Sequence, residues 1–452
     1  MKDPLPPGSY YVFVSRVVNP AIGFSNSFTY FFFQATLAGA YFSLLNYYAA
    51  NYLTTLGLVT GTDAYSALAA ALTTPTWILI LGTVMNIIIL GLAIGGLRIS
   101  KTALLAMELI GWLGLVVALG ILLTANQATF AAAWNKYLGS QITYENALSK
   151  AQSGGLQYMV GIGPLLGASV WGFFSITGYQ GVGYLGGEVK RGQRNMILAM
   201  VLGLLVIVFM MEIGTFIILN TMGYDFIAGA AYLNSAGTLS TAPYFTTAAA
   251  LLLPNPFLIT FIYLGLFLWI IALQLGFYLI LTRQVFAWSF DRVVPTLLAN
   301  VSEKFHSPTW STILIGVMLE VGILLSLYST IGVLLNLSLV LVLCYSIGTL
   351  STALLPVLKP AVFANAPRVV NYKLGGKVPV ISITGGLATI FFWILAYEAV
   401  INPSITGAVT PVTVGVIGLV AVIGFIIYAA AYYYNKSRGI SLSLVFKEVP
   451  PE

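Results

Sequence analysis

Charge is what this sequence has least of. Of its 452 residues only 7% are Asp, Glu, Lys or Arg, whereas 59% are hydrophobic and the mean hydropathy is +0.95. A soluble domain carries about a quarter charged residues. Without that charge most of the surface cannot be wetted, so its solvent is lipid. A cytosolic enzyme and a nucleic-acid binder are thereby excluded. Cysteine is nearly absent: Cys344 stands alone inside an apolar run. It can form neither a disulfide framework nor a zinc site, which excludes a disulfide-knit secreted domain. Histidine occurs once, as His306 in a polar segment. Metal chemistry built on imidazole pairs is therefore out, and no cofactor is expected. A G-x-x-x-x-G-K-[ST] loop is missing, which argues against ATP drive. The stretch MKDPLPPGSYYVFVSR has no apolar h-region of a signal peptide, and no repeated filter motif points to a channel.

Long apolar runs are what the chain does have. A helix needs about 20 residues to cross the hydrocarbon core. Ten such runs lie near 23–48, 76–97, 103–124, 163–186, 196–220, 257–282, 309–329, 331–355, 379–401 and 411–434. Their length and lack of ten-residue alternation predict helices, giving an all-α membrane protein of about ten transmembrane spans. Ten crossings sort the polar segments into two sets. Of the 19 Lys and Arg residues, only Lys136 and Lys150 fall in the second set. By the positive-inside rule both termini are cytoplasmic. The expected division is a cytoplasmic segment 1–22, a transmembrane body 23–434 and a cytoplasmic tail 435–452. The external stretches 125–160 and 221–255, rich in Ala, Thr, Ser and Asn, are expected to hold short surface helices. Pairs such as Gly91 with Gly95 and Gly163 with Gly167 have the spacing that lets helices pack closely.

The fourth run differs from the others. Gly172, Gly178, Gly181 and Gly183 share it with Ser175, Thr177, Tyr179 and Gln180. Each interior Gly costs a helix about 1 kcal/mol relative to Ala. The stretch is a place for a helix to open, exposing backbone groups and helix-end dipoles to a polar solute. A tightly packed, merely flexible span fits the same composition, and composition does not choose between the two. Four carboxylates also fall inside runs: Glu108, Glu212, Glu320 and Glu398. A carboxylate at membrane depth takes up a proton, sits by water or binds a cation.

Three segments resemble the amino acid, polyamine and organocation permeases. Phe173 through Gly178 to Glu188, Lys190, Arg194 and Asn195 is similar to that family's sixth span and following loop. Pro6 through Gly8 and Tyr10 to Ser15 and Arg16, followed by Pro20, Gly23 and Phe24, resembles the loop after its second span. Arg283, Phe286, Asp291 and Pro295, with Pro308 downstream, resembles the loop after the eighth. All three land in loops assigned to the cytoplasm, in the family's order. The resemblance implies spans three to twelve of a five-plus-five inverted-repeat fold. It also implies that the first two spans are not within this sequence, of which an incorrect start is the simplest account.

What the resemblance implies for the site is specific. Phe174 matches an aromatic gate, and Ser175, Thr177, Gly178, Tyr179 and Gln180 match the unwound turn of the substrate site. Gln180 stands where the family commonly has Glu, so a titrating role at that position is in doubt here. Glu108, on what would be the fifth span beside the core, is the candidate for proton coupling. Trp269 and Gln274 would lie on the eighth. The implied activity is secondary transport of an amino acid or related amine in the plasma membrane, coupled to protons or by exchange. The alternative is a non-transporting membrane subunit or a truncated, inactive permease. The implied partners are that solute and the lipid bilayer, with no nucleic acid and no metal.

Overall fold

The structure, a computed structural model, describes residues 9–188, 192–329, 337–366, 368–403 and 409–446. Among them, nine helices are long and apolar enough to cross a bilayer. They are Pro20–Thr60, Pro75–Ile94, Leu97–Leu123, Arg194–Met222, Pro256–Phe290, Thr309–Tyr328, Ser338–Leu358, Val380–Ile401 and Pro411–Ser437. One more apolar helix, Ile162–Ser175, is shorter. The molecule is thus an all-α, multi-pass membrane protein. A two-residue hairpin, Lys373–Leu374 against Val378–Pro379, is turned by Gly375 and Gly376, both at positive φ.

The first helix runs well past the 23–48 predicted for it. Pro20–Ala40 is followed by a turn residue, Tyr41, and then by Phe42–Thr60. Asn46 and Asn51 dilute the hydropathy of the second part, yet both are buried and bonded. The Asn46 amide donates to the Leu72 carbonyl (2.9 Å) and the Asn51 amide to Thr241 Oγ1 (2.7 Å). A helix can keep polar residues at depth when each has a partner. Part of the predicted run 331–355 lies outside the described residues; its helix is seen from Leu337 to Leu358.

The chain divides into two compact units. The first comprises residues 1–39, 160–204 and 277–452. Its centre is aromatic: Trp288 stands edge-on to Phe24 and Phe31, with ring centroids 5.2 and 5.1 Å apart. Its indole N–H donates to Ser27 Oγ (3.0 Å), and the Gln284 amide donates to the Ser27 carbonyl (2.8 Å). Glycines let the helices meet backbone to backbone. A Cβ at Gly39 would collide with the Leu319 carbonyl, and one at Gly322 with the Thr36 carbonyl. Cys344 is buried in a cluster with Tyr30, Phe33, Val340 and Leu341.

The second unit comprises residues 40–159 and 205–276. The short helices expected in the external stretches are present: Gln127–Leu138, Ala147–Ser153, Tyr224–Ser235 and Phe245–Leu252. They bury Phe130, Trp134, Leu138 and Phe226 together. Asn126 and Thr129 start the first of these helices with a capping box. At its far end Asn135 accepts from the Tyr144 N–H (2.7 Å) and donates to the Glu145 carboxylate (3.2 Å). Glu145's own backbone N–H, followed by Asn135, holds its carboxyl below the usual range.

Candidate functional site

The glycine-rich fourth run is broken. Its α-helix ends at Ser175, where the N–H groups of Ile176 and Thr177 donate to Phe173 and Phe174 (both 3.2 Å). Gly178 follows at φ +110°, a backbone conformation that only glycine adopts without strain. No atom crowds the position, so the backbone turn alone demands glycine there. A 3-10 helix then runs from Tyr179 to Glu188, its first bond from the Gly181 N–H to the Gly178 carbonyl (2.8 Å). A helix start leaves its first N–H groups without partners inside the helix, so the backbone at this junction is not held by a continuous ladder. The hydroxyls of Ser175 and Thr177 bond back to the Trp171 and Phe174 carbonyls (2.8 and 2.7 Å), an arrangement that bends helices.

Beside the break lies a cavity of about 610 Å³, within the usual range for a small-molecule site. Thr177, Tyr179 and Tyr184 give it one wall. Tyr10 and Arg16, from the helix Ser9–Val17, give another. A third comes from one face of the helix Leu337–Leu358, where Tyr345, Gly348, Thr349 and Thr352 recur at helical spacing. The rings interlock edge to face: Tyr10 with Tyr345 at 6.0 Å and Phe173 with Phe392 at 5.2 Å. Gly348 has no room for a side chain, because the Tyr10 ring fills the space a Cβ would take. The Asn26 amide donates to the Tyr10 hydroxyl (2.8 Å) and fixes that ring from behind.

Arg16 is the charged residue in this lining, and its charge is already matched. Nη1 and Nη2 donate to the two oxygens of Asp291, each at 2.7 Å, and Nη1 also reaches Ser15 Oγ (2.8 Å). Side-chain exposure is 9% for Arg16 and 2% for Asp291. A planar, bidentate pair is the geometry in which Arg and carboxylate bind best. The guanidinium also stacks over the Phe446 ring at 5.0 Å. Nε is buried without a hydrogen-bond partner. The cavity wall is therefore apolar and aromatic, with hydroxyls from Thr and Tyr as its main polar groups.

The structure places the residues singled out from the sequence in different surroundings. Thr177 and Tyr179 both line the cavity, and Gly178 makes the turn between them. Phe174 packs against the Tyr30 and Phe33 cluster, with Trp171 edge-on at 6.1 Å; its neighbour Phe173 faces the cavity instead. Ser175 is exposed and spends its hydroxyl on the backbone. The backbone of Gln180 is in the 3-10 helix, but its side chain lies outside the described residues, as do Lys190 and Arg191 altogether. Sequence reading missed Tyr184, Tyr345 and the stripe on the helix Leu337–Leu358. That stripe, small and polar residues every third or fourth position in an apolar helix, was the available signal.

Glu108 belongs to the second unit. It lies on the helix Leu97–Leu123, exposed, with the indoles of Trp112 and Trp269 facing its carboxylate. The two rings meet edge-on at 5.4 Å, and Gly111 has no Cβ so that Trp269 can lie against it. Trp269 Nε1 has no partner at full hydrogen-bond geometry. Gln274 is fully buried. Of the other carboxylates at depth, Glu398 is buried and accepts from the Asn402 amide at 2.6 Å, and Glu212 is exposed.

No curated protein matches the chain. The profile of one family, amino acid permease, matches residues 2–439. That span includes the broken helix, the cavity and the buried Arg16–Asp291 pair. By this match the chain belongs to the amino acid permease family.

Proposed function

We propose that this permease is a secondary transporter of amino acids or related amines, working by alternating access about the break at Gly178. The observation that carries the reading is the interrupted span: an α-helix ends at Ser175, and a 3-10 helix starts at Tyr179 on the wall of a 610 Å³ cavity. Non-helical backbone at membrane depth persists only where it is buried in protein or lines a cavity. Helix ends of opposite polarity suit the two charges of a zwitterion. Thr177, Tyr179 and Gln180 line the path of the solute, and Phe174 braces the turn from behind. Glu108 takes up the coupling proton where transport is a symport; the indoles of Trp112 and Trp269 face its carboxylate. Residues 23–434 form the transport body in the plasma membrane, with both termini cytoplasmic.

A second reading, a membrane subunit that does not transport by itself, is favoured by the exposure of the broken span. In the helix Ile162–Ser175 only Gly167 and Val170 are buried. Uptake of labelled amino acids into proteoliposomes containing the purified chain decides between the two. Transport supports the first reading, and binding without uptake supports the second. If there is uptake, Gln180→Ala is expected to change the solute affinity, and Glu108→Gln to flatten the pH dependence. Both profiles unchanged would remove those roles.

A further inference from the structure

We infer that the cavity beside Gly178 selects amino acids with a large, uncharged side chain, aliphatic or aromatic. This rests on the transporter reading and narrows it. A volume of about 610 Å³ leaves room for much more than a small side chain. The walls that would meet that side chain are rings and hydrocarbon: Phe173, Tyr184, Tyr345 and Phe392, with Met196 and Met200. Burying apolar surface against them is favourable, and flexible methionines adapt to side chains of different shape. The ends of the broken helix serve the α-amino and α-carboxylate groups, which every amino acid shares, so discrimination falls to the rest of the cavity.

Charged side chains are disfavoured by the same walls. No Asp, Glu or Lys lines the cavity among the described residues. An ammonium or guanidinium group would enter without a carboxylate to pair with, and an unpaired buried charge is costly. Arg16 does not serve an acidic side chain, because both its terminal nitrogens are held by Asp291 at 2.7 Å. Aromatic walls by themselves also suit organic cations, but through ring faces. Here the rings meet one another edge to face, Phe173 with Tyr345 at 84° and Tyr10 with Tyr345 at 75°, so that ring faces are engaged within the wall.

The test is a thermal-shift and equilibrium-binding panel on the purified full chain in nanodiscs. Leucine, phenylalanine and tryptophan are set against glutamate, lysine, glycine and choline. The large neutral amino acids are expected to raise the melting midpoint by about 2 °C or more at saturation and the others to leave it unmoved. Lysine, glutamate or choline binding as tightly as leucine would overturn the selectivity while leaving the carrier reading intact. If no amino acid binds, the carrier reading falls and the selectivity with it. Thr352→Asp places a carboxylate on the wall at a residue whose hydroxyl bonds only to its own helix, at the Gly348 carbonyl (2.9 Å). A folded Thr352→Asp protein, judged by a cooperative melt, should lose leucine and gain lysine binding. Unaltered preference in that variant would count against the cavity as the selecting site.

Discussion

Arg16 and Asp291 lie 275 positions apart and form an ion pair with both ends of the guanidinium engaged. Removing one partner of such a buried pair strands the other. Arg16→Ala is therefore expected to cost about 3–5 kcal/mol, read as a lowered unfolding midpoint in detergent. Arg16→Lys, which keeps the charge but not the planar fork, should recover only part of it. A midpoint within error of the parent would show that the pair contributes nothing. At Glu145 the prediction concerns pH. Its carboxyl titrates below the usual range when folded, so the stabilisation it gives is present above the unfolded value and is lost as pH falls through the folded one. Acidification should accordingly lower the protection of the Tyr144 amide, with exchange corrected for the intrinsic pH dependence, and leave the protection of distant helices unaffected. Both residues of the ion pair stood in separate loop motifs of the sequence. Nothing local to either motif encodes their meeting, because a contact between such distant positions is a property of the fold.

At the scale of the element, the place of a possible break was legible; whether the helix opens there and how its side chains face were not. Glycines at 172, 178, 181 and 183 weaken any helix that contains them, so composition marked where a helix could open but fitted a tightly packed span equally well. Which ring lines the cavity depends on about 100° of rotation per residue, since 3.6 residues make a turn. One step along the helix therefore exchanges Phe174 for Phe173. Tyr10 and Tyr345 reach the same cavity from elements that no local pattern connects. The break itself gives a direct test. Gly178→Ala forces an L side chain into a left-handed conformation at a cost of about 1–2 kcal/mol. That penalty reduces the population of the broken form by roughly five- to thirtyfold. Uptake in proteoliposomes should drop accordingly, although the site has free space. Normal uptake would mean the opening is dispensable.

For the molecule as a whole, hydropathy was the strongest signal, because lipid imposes the same demand on every span. The division into two units was not legible, since the first helix and the helices Gly192–Met222 and Pro256–Phe290 each contribute to both. The orientation expected from the charge count can be measured on intact cells. A cysteine at Ser149, exposed beside Lys150, should react with a membrane-impermeant maleimide added outside. One at Ser437, exposed beside Lys436, should react only after permeabilisation. The reverse pattern would invert the topology. Cys344, sealed among Tyr30, Phe33 and Leu341, makes this chemistry clean. With the native sulfhydryl silent, nitroxide or fluorophore pairs can be installed one per unit without first stripping the background. Interprobe distances measured with and without solute would then test whether the two units move.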